Sequence, residues 1–547
     1  MWPWWLGCAD EPTREPPGSE ATHDTAGHTG HAVTASLEVE VTGGATGLRD
    51  LRCRARLVDG EAPVILRWSV DGAPGPEGDH VRADRTQPGQ RWRCDAEATV
   101  EGVVLTAADE HVVPTPPGEN VLVIVLDDVG TDRFSAYGTS PTPAHTPRLD
   151  ALADSAVRFE TVYAAPACST TRSRALTGRY NMRFGLMSSL REEDTFTFPD
   201  GELTLAELAR LATVPRRTAA FGKWHLVTRE SLTPDFVARQ GFDRFRGTVG
   251  NLDSYPHWKE VDFDGVEHWQ TLYPTTRVAD DLLEFAATTP EPWFAWVAFH
   301  AAHGPYDVPD AALAPQQHLE GFWTLADVAD GMLEAADTEL GRILDTLGPE
   351  GLAHTTVFVL SDNGTAPEVA APPLDADRVK TTVYEGGVRV PLWVFGRGVE
   401  GAGVSSALVD VVDVFPTVAD LLGVPLVGDE GALSVPTPTG DVRLDGRSLL
   451  GSLVDPDAPG ERDSLVSFVA RTNGPPPWDD VRSTARDRTH KLVVTEDGRE
   501  ELYALGDALV EEQDLVAAGP LSAEHEAIRQ RLHAELDRVF ADATYAW

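Results

Sequence analysis

Lysine is nearly missing from this 547-residue chain. Lys223, Lys259, Lys380 and Lys491 are the whole set, so arginine carries almost all of the positive charge. Acidic residues outnumber basic ones 87 to 45, for a formal net charge of −42. That balance argues against nucleic acid or an anionic membrane surface as a partner, since both would repel the chain. An anionic substrate would need a local positive exception on a negative body. Long hydrophobic runs are also lacking: stretches such as Val121–Leu126 are far too short to span a bilayer. Cysteine is scarce, with Cys8, Cys53, Cys94 and Cys168 only. No internal repeat is present. What remains is 42% hydrophobic, as in a soluble globular protein, and too long for one core, so two or more domains are expected.

Residues 1–33 contain two features. Trp5-Leu6-Gly7-Cys8 resembles the end of a bacterial lipoprotein signal, in which the cysteine becomes lipidated and would tether the chain to a membrane, although no charged n-region or apolar stretch precedes it. The stretch 9–33 is rich in Pro, Gly, Thr and His and reads as a flexible tether. Over 34–114, short alternating stretches such as Ala35–Val41 and Val64–Val70 recur between turn signals such as Asp71-Gly72, the pattern of a small β-sandwich. Cys53, Trp68 and Cys94 follow the order in which a tryptophan packs on an inter-sheet disulfide. An immunoglobulin-like module with a Cys53–Cys94 bridge is expected; another small disulfide-bonded β domain would have much the same consequence. A disulfide implies an oxidising, extracytoplasmic compartment, whether periplasm, cell surface or medium. Pro114-Thr-Pro-Pro-Gly118 supplies a linker, placed at 115–119.

From Asn120 the texture becomes α/β. Continuous apolar runs at Val121–Leu126, Thr218–Phe221, Phe294–Phe299 and Thr355–Leu360 alternate with helix-like segments such as Leu203–Leu211 and Val278–Ala287, which predicts a sheet covered on both faces. This domain is drawn at 120–463, followed by a smaller C-terminal α+β subdomain at 464–547 that ends in a helix with Ile528, Leu532, Leu536, Val539 and Phe540 on one stripe. Each buried strand runs into chemistry. The first ends in Asp127-Asp128, the second in Lys223-Trp224-His225, the third in His300 with His303 just beyond, and the fourth in Asp362-Asn363. Ligands of open α/β sheets bind at the carboxyl ends of strands. Adjacent carboxylates there repel each other and are costly to desolvate, and a divalent cation removes that cost. The all-oxygen set of Asp127, Asp128, Asp362 and Asn363 favours Ca²⁺ or Mg²⁺ over Zn²⁺. Lys223, His225, His303 and Lys380 form the cationic half, suited to a tetrahedral oxyanion and a leaving group that needs a proton.

Between the first two strands lies Cys168-Ser-Thr-Thr-Arg172, followed by Leu176-Thr-Gly-Arg179. This segment resembles the sulfatase signature, from the alkaline-phosphatase-like superfamily. Thr146–Ala153, Val157–Phe159, Gly222–Leu226, Ala302–Pro305, Ser361–Gly364, Lys380–Pro391, Val409–Thr417 and Leu444–Leu449 resemble further landmarks of that family, in family order over roughly residues 119–515. The resemblance implies an alkaline-phosphatase-like α/β/α sandwich. It implies that Cys168 is oxidised to formylglycine by a formylglycine-generating enzyme. One hydroxyl of the hydrated aldehyde attacks sulfur, and loss of the proton from the other expels sulfate. It further implies that Asp127, Asp128, Asp362 and Asn363 hold Ca²⁺ rather than Mg²⁺ and that Arg172 and Lys223 steady the hydrate. His225 would be the base, His303 the acid on the leaving alcohol, and Lys380 the ligand of a sulfate oxygen. Two positions depart from the pattern: Thr170 stands where Pro or Ala is usual, which puts maturation in doubt, and Ala302 stands where Pro is usual. A phosphonate monoester or phosphodiester hydrolase of the same fold, and a non-catalytic binding protein with unmodified Cys168, are the alternatives. Tyr255, Trp258 and Trp269 with Tyr273 form an aromatic insert that would either select a sugar or aryl ring or pack on itself.

Overall fold

The computed structural model describes residues 36–42, 51–58, 62–81, 91–100, 103–112, 120–428, 433–506 and 508–541; Cys8, the 1–33 segment and the 115–119 linker lie outside them. The chain divides into two compact units, Met1–Thr115 and Pro116–Trp547.

Among its described residues the first unit has seven strands: β1 (Ser36–Thr42), β2 (Leu51–Val58), β3 (Val64–Val70), β4 (Ala73–Glu77), β5 (His80–Val81), β6 (Arg91–Val100) and β7 (Val103–Val112). They form two sheets, β1-β2-β5 and β4-β3-β6-β7, with antiparallel neighbours throughout. Alternation along β6 turns Trp92, Cys94, Ala96, Ala98 and Val100 inward. Cys53 on β2 and Cys94 on β6 form the expected disulfide, which joins the two sheets. Trp68 lies opposite Cys94 in register and shares one core with both cysteines.

The second unit is built on an eleven-stranded mixed sheet. Its strands are β8 (Asn120–Leu126), β9 (Ala156–Tyr163), β10 (Arg217–Lys223), β11 (Arg244–Thr248), β12 (Trp258–Asp262), β13 (Glu267–Gln270), β14 (Trp293–Ala298), β15 (Thr355–Ser361), β16 (Arg389–Val390), β17 (Leu392–Gly396) and β18 (Gly403–Asp410). The order is β13-β12-β11-β10-β14-β8-β15-β17-β9-β16, with β18 also on β9. The block β11-β10-β14-β8-β15 is parallel. All four chemistry-bearing strand ends therefore emerge at one edge of adjacent strands. The flanks turn antiparallel, which the apolar runs alone did not foretell. Every residue of β8 and β15 is buried. Leu122, Ile124, Val357 and Val359 share a core with Val278, Leu282, Met332 and Leu340 from the helices Pro274–Thr288 and Leu325–Ala353. After the hairpin β19 (Ser434–Thr437) and β20 (Gly440–Arg443), strands β21 (Leu465–Val469), β22 (Arg482–Arg486), β23 (His490–Val494) and β24 (Glu500–Ala504) form an antiparallel sheet. The helix Ala523–Ala541 packs on it through Leu532, Leu536 and Val539.

Candidate active site

The strand ends converge as their spacing predicted. Asp127 and Asp128 follow β8; Asp127 N donates to Ala301 O at 3.0 Å and Ala302 N donates to Asp127 O at 2.8 Å, so the His303 loop is sewn to the first carboxylate. Asp362 follows β15, and its Oδ1 accepts from Asp128 N at 3.2 Å. Lys223 ends β10. At Gly222 a Cβ would stand 1.9 Å from Ala298 O, so only glycine lets β10 come this close to β14. Lys380 N donates to Thr365 O and Thr381 N to Pro166 O, which fixes the Lys380 segment between the β15 exit and the start of the cysteine helix.

Cys168 is the first residue of the helix Cys168–Thr177, where unpaired N–H groups and the helix dipole favour negative charge. Its Sγ lies 3.6 Å from Asp127 Oδ1 and 3.8 Å from Asp128 Oδ1. One turn along, Arg172 reaches Asp362 Oδ2 at 2.7 Å and the Lys223 carbonyl at 2.7 Å. Lys223 Nζ is 2.5 Å from Asp127 Oδ2, and Lys380 Nζ is 2.6 Å from Asp128 Oδ1. Asn363 Nδ2 donates to Asp128 Oδ1 at 2.8 Å, and His303 Nε2 stands 3.7 Å from Asp128 Oδ2. The structure thus brings together all ten residues of the expected constellation except His225, which joins through the pocket: it lines one cavity of about 390 Å³ with Cys168, His303 and Lys380.

The electrostatics follow from burial against pairing. Burial alone would raise the Asp128 carboxyl, but Lys380, His303 and Lys223 outweigh it and hold it below the usual range. Asp362 goes the other way, to about 6, because burial and neighbouring Asp127 outweigh Arg172. Burial and Lys223 depress His303 to about 4 and push His225 and His300 well below the ordinary value. Burial and Asp362 raise the Cys168 thiol, which leaves it protonated and a weak nucleophile as it stands.

Among the described residues, three buried side-chain atoms here have no hydrogen-bond partner: Asn363 Oδ1, His225 Nδ1 and His300 Nδ1. Ligand atoms of Asp127, Asp128, Cys168 and His303 lie within 4.8 Å of one another. Converging carboxylates with an unmatched amide oxygen beside them suit a hard cation. Asp128, His225 and Thr381 have φ of 64°, 58° and 70°, a left-handed conformation uncommon outside glycine and costly in a β-branched residue.

Sequence reasoning named His300 only as a strand end, without a role, and missed the loop beside His225. His300 stands behind the site, its Nε2 2.9 Å from Thr248 Oγ1. The 188–194 loop forms a wall: Ser169 Oγ accepts from Leu190 N, Leu190 O meets His225 Nε2, and Asn473 Oδ1 accepts from Met187 and Ser188 N. No motif marks this loop, and Asn473 is distant in sequence. The aromatic insert requires a correction. Tyr255 and Trp258 are buried, 1% and 2% exposed, and serve as packing; Tyr255 OH donates to His300 O at 2.7 Å and Trp258 Nε1 to Leu272 O at 2.9 Å. Trp269 is 61% exposed, stacked on His257.

Comparison with known proteins decides the family. The model of the family described as Sulfatase matches residues 119–424, more than half of the chain. The chain belongs to the sulfatase family. Among curated sulfatases it is 29% identical to N-acetylgalactosamine-6-sulfatase of Sus scrofa over 390 residues, 64% of this chain and 69% of that protein. It is 28% identical to arylsulfatase J of Mus musculus over 356 residues, 60% of this chain but 57% of that relative's length. The solved structure of Ps i-CgsB in complex with k-i-k-neocarrahexaose shares the fold with a TM-score of 0.64 at 22% identity, covering 79% of this chain and 95% of that one. The phosphonate monoester hydrolase of Agrobacterium radiobacter shares it with a TM-score of 0.58 at 20% identity, covering 78% and 96%. The sulfatase match leaves residues before 119 unaccounted for.

Proposed function

We propose that this sulfatase-family chain hydrolyses sulfate monoesters of carbohydrates, with a formylglycine made from Cys168 as its nucleophile. The observation that carries the reading is the placement of Cys168: at a helix N-terminus, against two carboxylates, on the floor of a cavity shared with His225, His303 and Lys380. A raised thiol in that position is poorly suited to act unmodified, and a hydrated aldehyde supplies the attacking hydroxyl together with a route for sulfate to leave. Asp127, Asp128, Asp362 and Asn363 are the residues that would hold a divalent cation, Ca²⁺ by preference, and its charge would polarise the ester oxygen.

The chain's own residues divide the remaining work. Arg172 bridges Asp362 and the Lys223 carbonyl, which locks the floor and presents a positive edge to it. Lys380 faces the cavity and can exchange Asp128 for a sulfate oxygen. His303, at the rim, delivers a proton to the departing alcohol. His225 Nδ1 lacks any partner and is held by Leu190 O through Nε2, the arrangement of a base kept neutral until a proton arrives. Among the described residues no Phe, Tyr or Trp lines the cavity, whose walls carry Ser189, Thr228, Asn251 and Asp253, groups that bind hydroxyls better than an aryl ring. We place the enzyme outside the cytoplasm, where the Cys53–Cys94 disulfide is stable, with an immunoglobulin-like 34–114 module and a formylglycine-generating enzyme as its maturation partner.

Mass spectrometry of the peptide spanning Cys168, from protein made alongside the maturation enzyme, tests this directly. Conversion lowers the peptide mass by about 18 Da. Turnover of a sulfate monoester should accompany it, be lost on chelation, and return with Ca²⁺. Faster turnover of a phosphonate monoester or phosphodiester would reassign the substrate. An intact thiol with no turnover would point to a binding protein.

A further inference from the structure

The cavity above Cys168 is several times larger than a sulfate group, so its walls must read the rest of the substrate. Three segments form them: Ser189–Glu192, Val227–Arg229 and Val249–Asp253, with Lys380 and Thr381 closing the rim. Most of the charge there is already matched. Lys380 sits on Asp128 at 2.6 Å. Arg229 is held by Glu267 at 2.9 Å and Glu192 at 3.6 Å. Arg191 differs. Its side chain is exposed in the cavity wall and, among the described residues, has neither a hydrogen bond nor a carboxylate within salt-bridge reach.

The backbone that carries Arg191 is fixed. Leu190 N bonds Ser169 Oγ at 3.0 Å, one residue from the nucleophile, and Leu190 O meets His225 Nε2 at 3.1 Å. Arg191 N donates to Asp194 Oδ2 at 2.9 Å, and Asp194 also receives Asn473 Nδ2 at 3.3 Å. The guanidinium therefore leaves from a point set relative to both Cys168 and His225. Asp253, also exposed in the cavity, does not neutralise it and is available for sugar hydroxyls.

We infer that Arg191 is a specificity residue that pairs with a second anionic group on the substrate, a carboxylate or another sulfate, while the first sulfate occupies the site of attack. A planar two-pronged donor suits either anion, and a charge-assisted bidentate pair adds geometric as well as electrostatic selectivity. The inference rests on the sulfate-ester reading.

The test compares kcat/KM on four substrates: nitrophenyl sulfate, a monosulfated neutral sugar, a disulfated monosaccharide and a sulfated uronate. The wild-type enzyme should prefer at least one doubly anionic sugar over the neutral one, and the preferred arm names the anion. In Arg191→Ala that preference ratio should fall roughly 10- to 100-fold, carried in KM, and Arg191→Lys should recover part of it. A ratio that does not move in Arg191→Ala, or a wild-type enzyme with no preference for either doubly anionic sugar, overturns the inference alone. Absence of turnover on all four, nitrophenyl sulfate included, overturns the sulfate-ester reading and this inference with it.

Discussion

Two of the buried ionic clusters in the larger unit invite comparison, one around Asp127, Asp128 and Asp362, the other around Glu385. In the second, Glu385 meets Arg486 at 2.6 Å, Lys491 at 3.0 Å and the hydroxyl of Tyr163, while Glu511 accepts from Lys491 at 2.8 Å and from Glu385 N at 2.7 Å. All of its side-chain polar atoms are matched, and no left-handed residue belongs to it. The first cluster has charges just as deeply buried, yet it keeps three unmatched atoms, three left-handed residues and an opening to a cavity. Burial of charge therefore does not by itself mark an active site, and neither does incompleteness, since the buried Arg174–Asp410 pair also keeps unmatched atoms; incompleteness that lines a cavity distinguishes the first cluster. A closed network locks one conformation, whereas an open one keeps groups ready for a ligand that has yet to arrive.

This contrast can be broken experimentally. The largest effect is expected at Cys168: Cys168→Ala should lose sulfate-ester turnover at least about 1000-fold while melting within about 2 °C of the parent. Retained turnover removes the proposed mechanism. Glu385→Gln should show the converse. It leaves buried cations unmatched and should cost about 3–5 kcal/mol in urea unfolding, with kcat per folded molecule close to the parent value. A well-folded Glu385→Gln enzyme with crippled kcat would erase the distinction between the clusters. His303→Asn should slow alkyl sulfates about 100-fold and nitrophenyl sulfate less, since only the poor leaving group needs the proton. Equal losses on both would deny His303 the role of acid.

The smallest effect concerns acid. Burial raises the Glu385 carboxyl, but Arg486 and Lys491 prevail and hold it at about 2 against an ordinary 4.5. A carboxyl depressed on folding stabilises the protein above its unfolded value, and that contribution disappears as pH falls toward the folded one. Parent stability should thus decline between pH 4.5 and 2, and Glu385→Gln should flatten that slope in urea titrations across the interval. An unchanged slope would mean that other carboxylates govern acid unfolding.

Much of the site was legible because α/β geometry converts position along the chain into position in space. Once Val121–Leu126 and Thr355–Leu360 read as buried strands, the residues after them had to meet at one edge. The disulfide, the tryptophan beside it and the closing helix were readable from spacing and periodicity. Long-range choices were not. The antiparallel flanks depend on how β17 and β9 pair, and local pattern does not set that. Asn473, in the loop between β21 and β22, accepts from Met187 N and Ser188 N, a contact no window of sequence contains. Tyr255 and Trp258 stayed open in the sequence because aromatic content signals a binding face and a packed insert equally well; burial separates them.

The scarcity of lysine has a use beyond the reaction. Lys223 and Lys491 are sealed in the interior, at 1% and 0% side-chain exposure, and Lys380 shows 14% with its ammonium on a carboxylate. Lys259, at 32%, is the most open of the four. An amine-reactive dye should therefore label this protein's lysines chiefly at one address, on the insert strand beside Trp269.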